Sequence, residues 1–457
     1  MSVDAPVRIV DDPHSEVAPT LAGPTPKTLG ALDQSAFWAN LGVSLLGFSG
    51  AIYVLQPPNV PQLSIVAAIA ATVVGTVLGA IMVGLSAIPG ARTDAPAMVL
   101  LRGLFGAKLS YLPTVLNIIQ LIGWGTFELL VIAQAAQALF HGGPHWLYVV
   151  ITGVVTTAMT IRPLGALRVL RRYVTVAMVI AMIYLFVQVL RHPLPNLTTG
   201  SWRGFWAGSD TALAVAVSWI PVASDYSRHS RSTGAAFGSA TVGYSITQIL
   251  CYVLGLLALA GTTAEPFSPF LALPIGALFF AVLMVREVDQ SFANVYSTGV
   301  SVQNLLPKAD RRVLTIIVGA LTTVLALVMD MGQYEGFLTL LGSVFVPMCG
   351  VLVADYFLRG NSKHWNTSDR APSRWSMLAA WVLGLIAYQL INPGAVGAWS
   401  TMWTNLAHWL HFTPQSWMSA SVLSFLVAGV FAYLLDVLVS RRRPAAPVET
   451  ETELDEP

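Results

Sequence analysis

The chain has 457 residues, of which 55% are hydrophobic and 10% are charged, and its formal net charge is +1. Soluble domains carry roughly 25% charged residues, so this composition excludes a soluble globular protein and indicates an integral membrane protein. The near-neutral charge and the lack of a basic patch predict no nucleic-acid partner.

Apolar segments of ~20 residues, the length that crosses a bilayer, recur along the chain. We predict an all-α polytopic membrane protein with twelve transmembrane helices. The predicted spans lie at about residues 37–55, 63–88, 109–138, 146–161, 173–190, 211–225, 235–260, 269–304, 313–329, 337–357, 377–391 and 419–439. We interpret residues 1–34 as a disordered cytoplasmic tail, residues 35–440 as the membrane domain and residues 441–457 as a second cytoplasmic tail.

The positions of the lysines and arginines predict the orientation of the chain. With a cytoplasmic N-terminus, the cytoplasmic segments hold 21 of the 24 such residues, in agreement with the positive-inside rule. We therefore expect a multi-pass protein of the plasma (inner) membrane, in contact with membrane lipid, with both termini in the cytoplasm. Between the last two spans, the aromatic segment WSTMWTNLAHWLHF predicts an interfacial helix.

Two spans that stand five positions apart are interrupted, the first by glycines and the sixth, SWIPVASDYSR, by a proline. The predicted helix breaks are Gly42, Gly47, Gly50 and Pro221. An odd offset gives the matching helices of two repeats opposite orientations, and paired interruptions are typical of inverted-repeat transporters. Half-helix ends expose backbone groups that can hold a polar solute and a cation.

In the third span, Trp124 and Glu128 lie one helical turn apart on the same face. An indole can stack on a flat heterocycle, and a carboxylate can accept hydrogen bonds from ring N–H or exocyclic NH2 donors. The alternatives are a packed tryptophan and a glutamate that pairs with a neighbouring helix, for instance with Arg286. An intramembrane carboxylate generally indicates a functional site.

The eighth span carries a dense polar cluster midway along an apolar segment. Arg286, Glu287 and Asp289 fall within four residues, and each charge would cost roughly 2.5 to 3.5 kcal/mol at a bilayer centre. These side chains must face other helices or a path for substrate, ion or proton; an ion pair between Arg286 and Asp289 is the alternative. One stripe of this helix holds Glu287, Gln290, Asn294, Thr298 and Ser301. Such a stripe lines a path or hydrogen-bonds neighbouring helices.

Four stretches carry a family resemblance, in this order along the chain: PGARTDAPAMVLLRGLFG, LIGWGTFE, SDYSRHSR and YSTGVSVQNLLP. Together they resemble nucleobase:cation symporter family 1, in its bacterial purine and cytosine permease branch. The resemblance implies the leucine-transporter type of fold, with two inverted five-helix repeats (residues 35–190 and 209–358) and two further helices (residues 373–440). It also implies import of a nucleobase or related heterocycle by cation symport through alternating access.

Carried over by position, the resemblance implies that Trp124 is the family's aromatic stacking platform and that Glu128 is its polar partner, where an amide is common. The family's second aromatic falls on Ala216, which cannot stack, and Trp219 lies nearby. The predicted substrate-binding residues are Trp124, Glu128, Ser218, Trp219, Gln290, Ser291 and Asn294.

The resemblance also bears on the coupling ion, which is H+ or Na+. Sodium-coupled members offer a hydroxyl pair from the eighth span, and the matching positions here are Asp289 and Gln290, followed by Ser291 where an amide often contacts the substrate. We therefore expect proton coupling, with Asp289 or Glu128 as the titrating group and Glu287 beside them, because a buried carboxylate can load and release a proton. No cofactor and no metal is predicted, since all eight histidines lie in tails, loops or segment ends.

Three alternatives remain at this point. An amino-acid or other small-solute carrier of the same fold would bind a zwitterion through half-helix ends. A membrane-embedded enzyme would need a nucleophile with its base, or metal ligands, inside the bundle, and no histidine-containing set provides them. A structural membrane protein would gain nothing from broken helices and a central charge cluster.

Overall fold

The computed structural model of the chain describes residues 27–58, 60–161, 175–194, 196–259, 267–306 and 308–441. Within these ranges the chain is helical, apart from turns and two isolated β-bridges. The helices are α1 (Ala31–Leu41), α2 (Leu45–Leu55), α3 (Ile65–Thr93), α4 (Ala97–Phe105), α5 (Tyr111–Leu139), α6 (His145–Ile161), α7 (Thr175–Arg191), α8 (Phe205–Val217), α9 (Ala223–Ser227), α10 (Thr233–Gly238), α11 (Tyr244–Leu259), α12 (Ser268–Leu271), α13 (Gly276–Leu305), α14 (Arg311–Val328), α15 (Tyr334–Leu352), α16 (Trp375–Ile391), α17 (Gly397–Trp409) and α18 (Ala420–Arg441).

Each of the twelve predicted spans coincides with a helix or a pair of helices. In the part of the chain that the structure describes, six helices are long and apolar enough to cross a membrane, and the bent pair α1 and α2 makes a seventh. The shorter apolar helices α6, α7 and α16 cover the fourth, fifth and eleventh predicted spans. The sixth predicted span corresponds to α8 and α9, and the eighth corresponds to α13. The all-α fold is confirmed, and the protein is a multi-pass membrane protein.

Several element boundaries differ from prediction. Helix α1 begins at Ala31, inside the segment predicted as a tail, and the eighth span begins at Gly276, after the short helix α12. The predicted interfacial helix is α17. Most of the two predicted tails, residues 1–26 and 442–457, lies outside the described residues.

The first broken span bends by 60° between α1 and α2, across residues 42–44. Gly47 and Gly50 lie inside α2, so the prediction that they interrupt the helix is wrong. A Cβ at Gly47 would lie 3.0 Å from the sulfur of Cys251, and one at Gly50 would lie 3.2 Å from the hydroxyl of Tyr252. Both of those neighbours belong to α11, so the two glycines permit close helix packing.

The second broken span is interrupted where the sequence predicts. Helix α8 ends at Val217, a 3-10 turn covers Ile220–Val222 with Pro221 in its first positions, and α9 follows. Proline fits the start of such a turn because it has no backbone N–H to leave unpaired. The two broken spans therefore occupy the first place in each half of the chain.

Small residues bring α3 against the second broken span. A Cβ at Gly75 would meet the backbone of Ser209, and one at Gly79 would lie 2.7 Å from the Cβ of Ala216. Helices in a membrane approach this closely only where small residues line the interface. The contact packs α8 against α3, and α8 also lies beside α2 and α15.

Candidate substrate and ion site

The N-terminal end of α2, at the first break, is capped by a carboxylate from α13. Glu287 accepts hydrogen bonds from the backbone N–H of Leu45 at 2.9 Å and from the hydroxyl of Ser44 at 2.5 Å. The Ser44 hydroxyl in turn accepts the N–H of Leu46 at 3.0 Å. Unpaired N–H groups and the positive end of the helix dipole favour an anion at this position. Glu287, a residue of α13, thus stabilises the N-terminal end of α2 at the break.

The C-terminal end of α1, on the other side of the break, is held by a guanidinium. Arg286 is fully buried and donates to the backbone carbonyl of Asn40 and, at 3.3 Å, to its side-chain oxygen. Its Nη1 donates to Gln290 Oε1 at 2.7 Å and lies 3.4 Å from Glu287 Oε2. The carbonyl end of a helix and a carboxylate both stabilise a buried positive charge.

The side chain of Asn40 also reaches Asp289. Its Nδ2 donates to Asp289 Oδ2, while its Oδ1 accepts from Arg286. Asn40 therefore bridges two charged residues of α13 from the last turn of α1. Arg286 forms an ion pair with its neighbour Glu287, whereas Asp289 was the partner considered from sequence.

A row of polar side chains on α5 has unpartnered atoms. Gln120, Trp124 and Glu128 follow one another at steps of four residues on one face of the helix, and they are 1%, 6% and 0% exposed. Among the described residues, Gln120 Oε1, Trp124 Nε1 and both oxygens of Glu128 find no hydrogen-bond partner. An unsatisfied buried polar group costs about 1–3 kcal/mol, so this row indicates a face that a ligand or a proton satisfies.

Glu128 faces the cluster on α13. Its carboxyl lies within hydrogen-bonding reach of the carboxyl of Glu287, and the two groups bond only when one of them carries a proton, since carboxylates are acceptors. Carboxyls that share a site in this way hold one proton between them. Three carboxyl groups lie near this point, those of Glu128, Glu287 and Asp289, together with the guanidinium of Arg286. A proton or a cation would balance the buried charge.

The second break meets α5 and α1. Gln120 Nε2 donates to the backbone carbonyl of Ser218 at 2.9 Å, and the Ser218 hydroxyl donates to Val215 O at 2.7 Å. Trp219 is 5% exposed, and its ring meets the ring of Trp38 edge-on, with centroids 6.5 Å apart. The break thus brings the ring of Trp219 to the face that α1 presents. The side chain of Ala216 packs against α3 instead.

An aromatic wall on α15 adjoins Trp124. The indole ring lies edge-on to Tyr334, with centroids 6.0 Å apart, and to Phe337 at 5.4 Å. The hydroxyl of Tyr334 is also buried and without a hydrogen-bond partner in the described part of the chain. Aromatic rings of α5 and α15 therefore lie next to the unpartnered polar row.

The polar stripe of α13 divides into two parts. Towards its C-terminal end, the stripe bonds to its surroundings: Asn117 of α5 donates to Ser301 at 2.8 Å, and Thr298 donates to the backbone of Asn294 at 2.8 Å. Nearer the charge cluster, the hydroxyl of Ser291 is buried and has no partner among the residues described. The C-terminal part of the stripe therefore contacts a neighbouring helix through Ser301, and Ser291 belongs to the candidate site.

All seven residues predicted to bind substrate are buried, none more than 6% exposed. Two clefts are lined by other residues, the first around Asp210 and Tyr388 and the second around Pro221 and Trp365. The candidate site is closed in this conformation. The structure brings Glu128, Glu287, Asp289 and Gln290 into one cluster around Arg286 and places Trp124 beside it, while Ser218 joins through Gln120.

Four residues of this arrangement were not predicted from sequence: Asn40, Ser44, Gln120 and Tyr334. Gln120 had a usable signal, since it lies one turn before Trp124 on the same face. Ser44 had one too, because a serine before an apolar run is typical of a helix N-cap. Nothing local distinguishes Asn40 or Tyr334, which acquire their places through helices distant in sequence.

Two broken helices, a charged cluster held between them and an unpartnered polar face on a neighbouring helix define a secondary membrane transporter. The comparisons with known proteins agree. The chain belongs to the family described as permeases for cytosine/purines, uracil, thiamine and allantoin, whose sequence model matches residues 37–402. The predicted family is thereby confirmed, as is the prediction that the chain is a transporter and not an enzyme.

Individual relatives are distant but cover most of the chain. The cytosine permease of Escherichia coli strain K12 is 22% identical over 394 residues, which are 83% of this chain and 86% of that protein. Mhp1, a nucleobase-cation-symport-1 family transporter, matches in a closed conformation with bromovinylhydantoin bound (TM-score 0.70, 16% identity, 92% of this chain and 95% of that chain). It also matches in an inward-facing conformation (TM-score 0.70, 16% identity, 94% and 96%). The predicted leucine-transporter type of fold is confirmed.

Proposed function

We propose that this permease imports a cytosine- or purine-like nucleobase, or a related flat heterocycle, by symport with a proton through alternating access. The observation that carries the proposal is the unpartnered face of α5, where an indole N–H, an amide oxygen and a carboxylate stand in a row inside the bundle. A heterocycle that offers N–H and NH2 donors would satisfy the amide oxygen and the carboxylate, and its flat face would suit the ring of Trp124.

Several other residues suit the same ligand. Ser291 offers an unpartnered hydroxyl, and Trp219 offers a second ring at the other break. Gln290 and Asn294 lie on the same helix, directly before Ser291 and nearly one turn after it. The family description, the cytosine permease relative and the hydantoin in the Mhp1 complex support a ring of this kind.

The contacts at the first break disfavour an amino acid as substrate. A zwitterion would use the free N–H and C=O groups of the two half-helices. In this chain, Glu287 already accepts from the N-terminal end of α2, and Arg286 already donates to the C-terminal end of α1. The side chains of α5 remain as the groups that a substrate would satisfy.

The pair Glu128 and Glu287 supports the proton as the coupling ion. One proton between the two carboxyls would give both of them a partner, and its release would leave two like charges in contact. The other charged groups of the cluster are Arg286 and Asp289, both on α13. Binding of a heterocycle at Glu128 and loading of the proton therefore involve the same carboxyl.

The orientation and repeat structure complete the proposal. The distribution of lysine and arginine supports cytoplasmic termini and a plasma (inner) membrane location. Residues 35–190 and 209–358 would form the inverted repeats, each opened by a broken helix, and residues 373–440 would add two further spans in contact with lipid.

Removal of the indole tests the substrate class. Purified wild-type protein is titrated with cytosine, adenine, hypoxanthine, uracil and a set of amino acids while its tryptophan fluorescence is followed. We expect saturable quenching by a heterocycle and none by amino acids. Trp124→Ala should weaken that binding by about 10- to 100-fold, since stacking of a base on an aromatic ring contributes about 1–3 kcal/mol. Trp409→Ala, an exposed tryptophan of α17, is the control. Unchanged affinity in Trp124→Ala would remove the stacking role.

Neutralisation of Glu128 tests the coupling ion. Uptake of labelled cytosine into proteoliposomes should fall for the wild type as the external pH is raised from 5 to 8, because the proton that is co-transported becomes scarce. Glu128→Gln cannot load a proton, so its residual uptake should be independent of pH and of a proton gradient. It should fold with wild-type stability within about 1 kcal/mol, because it removes an unpaired charge. Strict dependence of the wild type on sodium, without a response to the proton gradient, would contradict the proposal.

A further inference from the structure

The C-terminal end of a half-helix in a broken span is a place where a cation is expected. Its last carbonyl groups have no N–H partners and carry the negative end of the helix dipole. In transporters with discontinuous helices, such ends and unwound carbonyls coordinate the transported cation. In this chain the end in question belongs to α1, whose Asn40 carbonyl accepts a long bond from the N–H of Val43 at 3.3 Å and a second bond from α13.

The group that meets this carbonyl is the guanidinium of Arg286. It contacts four oxygens: the carbonyl and Oδ1 of Asn40, Oε1 of Gln290 at 2.7 Å and Oε2 of Glu287 at 3.4 Å. Carbonyl, amide and carboxylate oxygens are the ligands that hard metal cations prefer. The ligand set thus has the chemistry of an alkali-cation site, and a positive charge attached to the chain occupies it.

We infer that Arg286 is a resident cation that takes the place of a coupling metal ion at the first break, and that it makes the carrier independent of sodium. An arginine stays charged at every accessible pH, and this one is fully buried, so the charge at the end of α1 does not dissociate during transport. A sodium ion would have to displace the guanidinium from all four oxygens or lie beside a buried like charge.

The inference rests on the proposed function and adds that the fixed charge and the exchangeable proton lie on different residues. Arg286 holds the break with a fixed charge, and the exchangeable proton lies on the other side of Glu287, at Glu128. The planar fork of a guanidinium can reach the oxygens of Asn40, Gln290 and Glu287 at once, whereas a lysine ammonium at this position reaches fewer of them.

The experiment replaces Arg286 and supplies a free cation. Purified wild type, Arg286→Ala and Arg286→Lys are heated in choline chloride, in sodium chloride and with added guanidinium at constant ionic strength, and each is reconstituted for uptake of labelled cytosine. We expect the wild type to unfold at one temperature in all three and to take up cytosine equally with sodium or choline. Arg286→Ala should unfold earlier and lose at least tenfold in uptake, and sodium or guanidinium should raise both again. Arg286→Lys should remain indifferent to sodium.

Arg311→Ala is the matched control. Arg311 is also buried and also donates to a backbone carbonyl, that of Thr160 at 3.1 Å, but its guanidinium lies over the ring of Tyr296. Its removal leaves too few oxygens for sodium, so sodium should not stabilise that variant.

Each outcome decides the inference. A sodium-dependent unfolding temperature or uptake rate in the wild type would overturn it, and this measurement needs no variant to fold. So would an Arg286→Ala protein that folds but responds to neither cation. If the wild type fails to take up cytosine at all, the proposed substrate is wrong, while the unfolding temperatures still test the role of Arg286.

Discussion

The two broken helices occupy matching places in the two halves of the chain, yet different forces hold them. At the first break, charged groups of α13 bind both half-helix ends: Glu287 accepts from the N-terminus of α2, and Arg286 donates to the C-terminus of α1. At the second break, the contacts of the turn itself are neutral, and the carboxylate of Asp225 in α9 accepts from the backbone N–H of Ala97, at the start of α4. Gln120 donates to the carbonyl of Ser218, and the 3-10 turn closes through a bond from Val222 to Trp219.

This difference assigns the two breaks to different parts of transport. A break held by charge responds to any change of charge beside it, and the proton that Glu128 and Glu287 can share lies there. The turn of the second break is held by neutral contacts and presents a ring, Trp219, towards α1. The first break is therefore suited to coupling and the second to shaping the substrate site.

Neutralising Glu287 should have the largest effect on stability. Glu287→Gln removes the carboxylate partner of a fully buried guanidinium, and such a loss costs about 3–5 kcal/mol. The free energy of unfolding in mixed micelles, measured by titration with sodium dodecyl sulfate, would report it. Uptake should be lost as well, because the break and the shared proton both depend on this carboxyl.

Glu335→Gln is the control for that prediction. Glu335 lies half-buried on α15, outside the charge cluster, and its replacement should change the free energy of unfolding by less than about 0.5 kcal/mol. Equal effects of the two substitutions would show that charge does not hold the first break.

Adding one methyl group at the first break should have the next largest effect. A Cβ at Gly42 would lie 2.7 Å from the backbone carbonyl of Tyr244 and still closer to Thr247. Backbone cannot move aside as a side chain can, so Gly42→Ala should destabilise the protein by about 1–3 kcal/mol through overpacking. Gly234→Ala, where a Cβ meets nothing within 4 Å, should be neutral or slightly stabilising. A wild-type unfolding curve for Gly42→Ala would mean that α1 and α11 separate easily.

The sequence predicted the parts of the site that have local signals. A glycine-rich span, a proline-interrupted span and charges inside an apolar helix are each costly in a membrane, so they stand out without a structure. The shared face of Trp124 and Glu128 followed from helical periodicity alone. Family membership and fold followed from four short stretches.

The parts that the sequence did not predict depend on tertiary placement. Arg286 has a possible partner three residues away, yet its contacts are Asn40, 246 residues distant, the adjacent Glu287 and Gln290. Glycines such as Gly47 and Gly50 suggest a helix break in the sequence, but here they permit the close approach of α11. A glycine in a membrane helix has both uses, and only the neighbouring helix distinguishes them.

Replacing the proline at the second break should have the smallest effect. In Pro221→Ala the turn keeps its bond from Val222 to Trp219, and Gln120 still holds Ser218, so the loss should stay within about 1 kcal/mol, the size of the effect of proline on the unfolded chain. The Michaelis constant for the heterocycle should change less than in Trp124→Ala. Pro347→Ala, inside α15, controls for loss of a proline elsewhere. A loss as large as that of Glu287→Gln would instead mean that the ring of Pro221 itself maintains the break, and the two breaks would then differ in the source of their rigidity rather than in its strength.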